Sequence, residues 1–147
     1  MSEAKLEIRN SKFGASRRAA VNDFTDLKAW QLAREFRQEI YRIVRTFPPD
    51  EKHVLAAQTR RAAISVTANI AEGFGRFSFQ ENIQFCRQAR GSAFEARDHL
   101  IAALDGGYIS RQDWEKADAL AQRTIKVLNG YIRSTREMQR AKEKPAG

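Results

Sequence analysis

Three short breaks govern what this chain can fold into: Pro48-Pro49, Gly73-Phe74-Gly75 and Gly106-Gly107. Between them, apolar residues recur at steps of three and four, the spacing of one helix face. In the first segment Trp30, Ala33, Phe36, Ile40, Ile43 and Phe47 make the stripe, and Arg34, Arg37, Gln38, Arg42 and Arg45 take the other side. Asp23 or Thr25 caps its start, with Asp26 three residues after Asp23, and Pro48-Pro49 ends it. A second helix is expected from about Asp50 to Ala71, with Pro49, Asp50 and Glu51 at its positive end and the Gly73–Gly75 turn as its stop, on the ground that glycine tolerates left-handed backbone. Ser78 with Glu81, and Ser110 with Asp113, have the spacing of capping boxes opening a third and a fourth helix. The third carries Phe79, Ile83, Cys86, Ala89, Ala93, Ala96, Leu100 and Leu104 inward; the fourth carries Trp114, Ala117, Ala121, Thr124, Leu128 and Tyr131. Four long amphipathic helices with three short joints predict an all-α fold, an antiparallel up-down-up-down four-helix bundle.

One stripe departs from the amphipathic rule. Gln58, Arg61, Ser65, Asn69 and Glu72 share a face of the second helix, beside a face of small residues such as Ala62, Ala63 and Ala68. This arrangement predicts a buried, hydrogen-bonded seam between closely packed helices, with Ser92 and Glu95 of the third helix as partners and Arg61 paired to Glu95. Ile64, Phe74, Phe94 and Ile101 lie off the main stripes and are expected to face another subunit.

The order of several marks also resembles a known family. Leu27 and Trp30 are followed by Phe47-Pro48, then Gln58-Thr59-Arg60-Arg61-Ala62-Ala63, Ser65, Asn69-Ile70-Ala71-Glu72-Gly73 and Gly75-Arg76, and later by Phe85, Ala89, Gly91-Ser92, Glu95 and Gly107-Tyr108-Ile109. Over roughly residues 24 to 132 the chain is similar to the four-helix-bundle proteins encoded in intervening sequences of bacterial 23S rRNA genes, the S23-type family, which includes accessory proteins of diversity-generating retroelements. The resemblance implies a ring-like homopentamer, an RNA or retroelement context and, in retroelement members, a reverse-transcriptase partner. It defines no reaction.

Charge adds a direction. The 147 residues hold 26 Lys and Arg against 18 Asp and Glu, a net charge of +8. The ends hold most of the excess. Residues 1–22 have Lys5, Arg9, Lys12, Arg17 and Arg18 against two acids, and residues 133–147 have Arg133, Arg136, Arg140, Lys142 and Lys144 against two acids. The expected organisation is a flexible basic arm over 1–22, the bundle over 23–132, and a basic, partly helical tail over 133–147. Basic ends on a near-neutral body suggest arms for nucleic acid, RNA or DNA, with the first helix's arginines as a further phosphate-tracking surface.

Other chemistries find little support. A bundle di-iron site needs inward carboxylates with Glu-x-x-His on two helices; here Glu95 and His99 are four apart and His53 stands alone, so neither metal nor cofactor is expected. Cys86 lies on an apolar stripe as a packed thiol. Gly73-Phe74-Gly75-Arg76 lacks the preceding strand and the Lys-Ser/Thr of a phosphate loop. A single Cys, no apolar run near membrane length and no leader-like start predict a soluble cytoplasmic protein with no membrane partner. The sequence thus reads as a non-enzymatic, oligomeric nucleic-acid-binding bundle. Its alternative is a protein-only assembly module whose charge serves solubility.

Overall fold

Asp26 sets where the first helix begins. Its carboxylate accepts the backbone N–H of Asn22 at 2.9 Å and of Asp23 at 3.0 Å, closing a 3-10 turn over Phe24–Asp26. The helix proper, α1, follows at Lys28–Val44. The computed structural model describes residues 21–145, so Lys5, Arg9, Lys12, Arg17 and Arg18 lie outside the described residues. Val21, expected within the arm, is buried in the core against the helices.

After Pro48 a second 3-10 turn, Pro49–Glu51, takes the place of the expected first helical turn, and α2 runs Leu55–Gly75. The Glu51 carboxylate explains the late start: it accepts the N–H of Leu55 at 3.2 Å, satisfying a donor the helix leaves open. It also accepts the Tyr108 hydroxyl at 3.1 Å, which ties the first joint to the third. The helix passes through Gly73 and ends at Gly75, with Arg76 extended at φ −80° and ψ 149°. Gly73 is therefore not the left-handed stop that was expected; among the described residues Gly107, at φ 73°, is the glycine with positive φ. Gly73 serves close approach instead. A Cβ there would lie 2.9 Å from Asn82 Oδ1 and from Phe85 Cβ.

The third and fourth helices start where their caps place them. Ser78 Oγ accepts Glu81 N–H at 3.3 Å before α3, Phe79–Asp105, and Ser110 Oγ accepts Asp113 N–H at 3.0 Å before α4, Arg111–Glu143. α4 extends without a break across the expected boundary at 132/133, with Thr135 fully buried. At 33 residues it is about 50 Å long. Each helix packs against two neighbours, α1 on α2 and α4, α3 on α2 and α4. The described residues form an all-helical, four-helix bundle without strands.

The core has two parts. Near the α2–α3 joint, Leu27, Val66, Ile70, Phe74, Leu128 and Ile132 meet; toward the other end Phe36, Ile40, Ile43, Leu100 and several alanines do. Phe74 is thus a core residue, contrary to its expected place on a subunit surface, whereas Ile64, Phe94 and Ile101 are exposed. Val54 and Phe77 are exposed apolar side chains too. One polar link lies deep inside: Asn82 Nδ2 donates to the Tyr131 hydroxyl at 2.9 Å, joining α3 to α4. Burial pushes the Tyr131 phenol well above its usual range, so it stays neutral.

Candidate nucleic-acid interface

The polar stripe of α2 comes together with its expected partners, but at the surface. Arg61 Nη2 reaches Glu95 Oε1 at 2.5 Å, and Arg61 Nε donates to Gln58 Oε1 at 3.0 Å. The Ser65 and Ser92 hydroxyls are 2.8 Å apart, and Asn69 Nδ2 donates to the Ser65 carbonyl and hydroxyl. Glu72 pairs with Arg76 one turn on and does not reach α3. The side chains of Arg61 and Glu95 are 57% and 38% exposed, so the predicted buried seam is a partly solvated shoulder between α2 and α3. The reason is room: Ala62, Ala63, Val66 and Ile70 already fill the inward face of α2, leaving the stripe at its edge.

The arginines of α1 are mostly engaged. Arg34 lies 5.8 Å from the Trp30 ring centre, and Arg37 Nη1 donates to Thr67 Oγ1 at 2.9 Å. Arg42 grips Glu39 through Nε and Nη2 and also reaches Asp113 at 2.8 Å. Glu39 is buried, with Lys116 Nζ as a second cation at 3.5 Å; the Arg42 hydrogen bonds hold its carboxyl below the usual range against the opposing effect of burial. Arg42 is therefore largely neutralised, and Arg45 alone of the four is exposed without a partner among the described residues.

α4 is different. Lys126, Arg133, Arg136 and Arg140 follow at steps of seven, three and four, with Asn129 between the first two, so they share one helical face. None of the four cations has a carboxylate partner among the described residues. Two adjoining hollows run along this face where it meets α3. The first, about 310 Å³, is lined by Phe94, Arg97, Gln122, Lys126, Asn129 and Arg133 among others. The second, about 360 Å³, is lined by Arg90, Arg133, Arg136, Glu137 and Arg140 with Asn129 and Ile132. Arg90 Nη1 donates to Asn129 Oδ1 at 2.8 Å, and Arg97 Nε donates to buried Asp118 at 2.8 Å. Lys142 stands 5.8 Å from the Phe79 ring centre, and Lys144 is exposed just beyond the helix. Sequence reading found Arg133, Arg136 and Arg140 but as a tail, and missed Arg90, Arg97 and Lys126. The spacing through Lys126 and Asn129 was the available signal.

A model of the 23S rRNA-intervening sequence proteins matches residues 25–130. The chain belongs to that family. Its fold is also that of a protein of unknown function from the S23 ribosomal protein family of Bacteroides thetaiotaomicron, whose 1.70 Å crystal structure it matches with a TM-score of 0.66 at 24% identity, over 71% of this chain and 97% of that one. Among curated proteins none matches this chain.

For this intervening-sequence family member the match ends at residue 130, so Arg133, Arg136 and Arg140 lie beyond the matched stretch, and Arg90, Phe94, Arg97, Lys126 and Asn129 lie within it. No enzymatic family is evident. Among the described residues no group of three or more His, Cys, Asp or Glu is placed to hold a metal. Cys86 is buried, with Sγ 3.7 Å from Asn82 Oδ1. No helix among the described residues is long and apolar enough to cross a membrane.

Proposed function

We propose that this family member is a non-enzymatic, oligomeric nucleic-acid-binding bundle. The carrying observation is the row Lys126, Arg133, Arg136 and Arg140, four cations aligned on one helical face with no carboxylate partner among the described residues, whereas Arg34, Arg42, Arg61, Arg76 and Arg97 each meet an acid or an aromatic ring. Cations without partners attract phosphates by releasing condensed counterions, a sequence-independent force. Lys142 and Lys144 near the end of the same helix add to the positive charge. The test is binding of a mixed-sequence RNA or DNA over a salt series: affinity falls steeply with salt, and absence of binding at low salt rejects the reading.

Assembly is the second element of the proposal. Exposed Ile64 and Ile101 are apolar side chains of the kind that a subunit contact covers. Family resemblance supports a homopentamer, and a ring would multiply the cationic faces on one particle. In a retroelement setting the expected protein partner is a reverse transcriptase, testable by co-purification with one encoded nearby. A protein-only assembly module is the alternative reading, and the exposed apolar residues favour it if nucleic acid fails to bind.

A further inference from the structure

Resting on the nucleic-acid reading above, we infer that the α3–α4 groove is a seat for single-stranded RNA, with Phe94 as a stacking surface. Three observations meet there. The groove is long: from Gln122 to Arg140 the lining side of α4 rises about 27 Å. It is cationic, with Arg90, Lys126, Arg133, Arg136 and Arg140 against the single acid Glu137, since Asp118 is already held by Arg97 and by Gln122 Nε2 at 2.6 Å. And it has an aromatic ring at one end. Phe94 is 50% exposed there, with the Arg97 guanidinium 5.5 Å from its ring centre; Phe77 and Phe79 line a separate hollow with Lys142. Cations that track a backbone, interleaved with aromatic faces, are what an unpaired strand needs, because its bases are free to stack.

A duplex fits these features less well. Its bases are stacked on one another and offer Phe94 no face, so the ring would stay solvated. A second copy of this chain fits worse, since two such grooves repel. The groove also holds unused amide groups. Gln122 donates to Asp118 through Nε2 and Asn129 accepts from Arg90 through Oδ1, while Gln122 Oε1 and Asn129 Nδ2 have no partner among the described residues. Either suits a ribose 2′-hydroxyl, which can donate to the first or accept from the second and which DNA lacks.

The test is fluorescence anisotropy of the full chain with a short labelled oligouridylate, the matching oligothymidylate and an RNA duplex. The expected order is oligouridylate tightest. Phe94→Ala weakens it about fivefold or more and Phe94→Trp restores it. Arg133→Ala with Arg136→Ala weakens it on the order of tenfold per cation at low salt. All these side chains are exposed, and circular dichroism checks that the variants fold. If the wild-type chain binds oligouridylate and the Phe94 and double-arginine variants bind equally well, the groove assignment is overturned while the nucleic-acid reading stands. Loss with the arginines but not with Phe94→Ala, equal binding of the duplex, or equal displacement by polyglutamate overturns the single-strand seat. Equal affinity for the oligothymidylate overturns the ribose contact and with it the choice of RNA. If no polynucleotide binds at low salt, the broader reading falls first and the groove with it.

Discussion

Single residues in this bundle divide by what surrounds them, and their substitution costs should divide likewise. Arg61 holds Glu95 at 2.5 Å, but both are solvent-accessible. Such a pair contributes under about 1 kcal/mol. Arg61→Ala is therefore expected to lower the melting temperature only slightly in thermal denaturation, unlike the large loss that a buried pair would give. The Tyr131 hydroxyl is the opposite case. It is the acceptor for buried Asn82 Nδ2, so Tyr131→Phe leaves a donor unsatisfied inside the core, at a cost of about 1–3 kcal/mol in urea unfolding. Glycines divide too. At Gly73 a Cβ would overlap Asn82 and Phe85, so Gly73→Ala should destabilise by roughly 1–3 kcal/mol less the helix-propensity gain of about 1 kcal/mol. Gly91 has no neighbour within 4 Å of such a Cβ, so Gly91→Ala should gain up to about 1 kcal/mol. Equal shifts for the two glycines would contradict the close approach of α2 and α3.

The elements are tied by charge at one end of the bundle. Glu39 on α1 takes Arg42 from its own helix and Lys116 from α4, and Arg42 continues to Asp113 in the first turn of α4. The folded state lowers the Glu39 pKa from its ordinary value of 4.5. A carboxyl with a depressed folded value contributes stability that is complete above its unfolded pKa and disappears as the pH falls through the folded one. The melting difference between the wild-type chain and Glu39→Gln should therefore be full near neutral pH and shrink on acidification below about pH 4.5. A difference independent of pH would mean that Glu39 acts by packing alone. The same α4 shows what local sequence conveys. Ser110 and Asp113 mark its start because a cap is settled by adjacent backbone. Its continuation beyond residue 132 was expected as a partly helical tail, and the helix runs to Glu143; what local sequence did not convey is that Thr135 is buried against the other helices.

At the scale of the molecule, the proposed function rests on where uncompensated charge accumulates. A linear decrease of log affinity with log salt is expected, with a slope of about −3 if four cations contact single-stranded phosphate. Assembly is checked separately by light scattering. A mass several times that of the chain at micromolar concentration is expected, and Ile64→Glu with Ile101→Glu should reduce it. A wild-type monomer under those conditions rejects the oligomer. The assignment of Lys126, Arg133, Arg136 and Arg140 to one row was partly legible, because helical spacing fixes which side chains align. That Arg97 does not act as a free cation was not, because its partner Asp118 is distant in sequence; for Arg42 the nearby Glu39 was legible and the more distant Asp113 was not.

The sequence by itself determined the helices, their caps at Ser78 and Ser110, the joints, the bundle and the family. All of these follow from periodicity, from hydrogen bonds within a few residues, or from motif order. It also determined that Arg61 and Ser65 would meet Glu95 and Ser92, since antiparallel α2 and α3 joined by a short turn leave few registers. Tertiary structure alone decided which of these groups are dry. Burial depends on what packs across the helix from elsewhere in the chain. It therefore placed the α2 stripe at a shoulder, turned Gly73 from a helix stop into a close contact, drew Phe74 into the core and left Phe94 outside, beside the cationic face of α4.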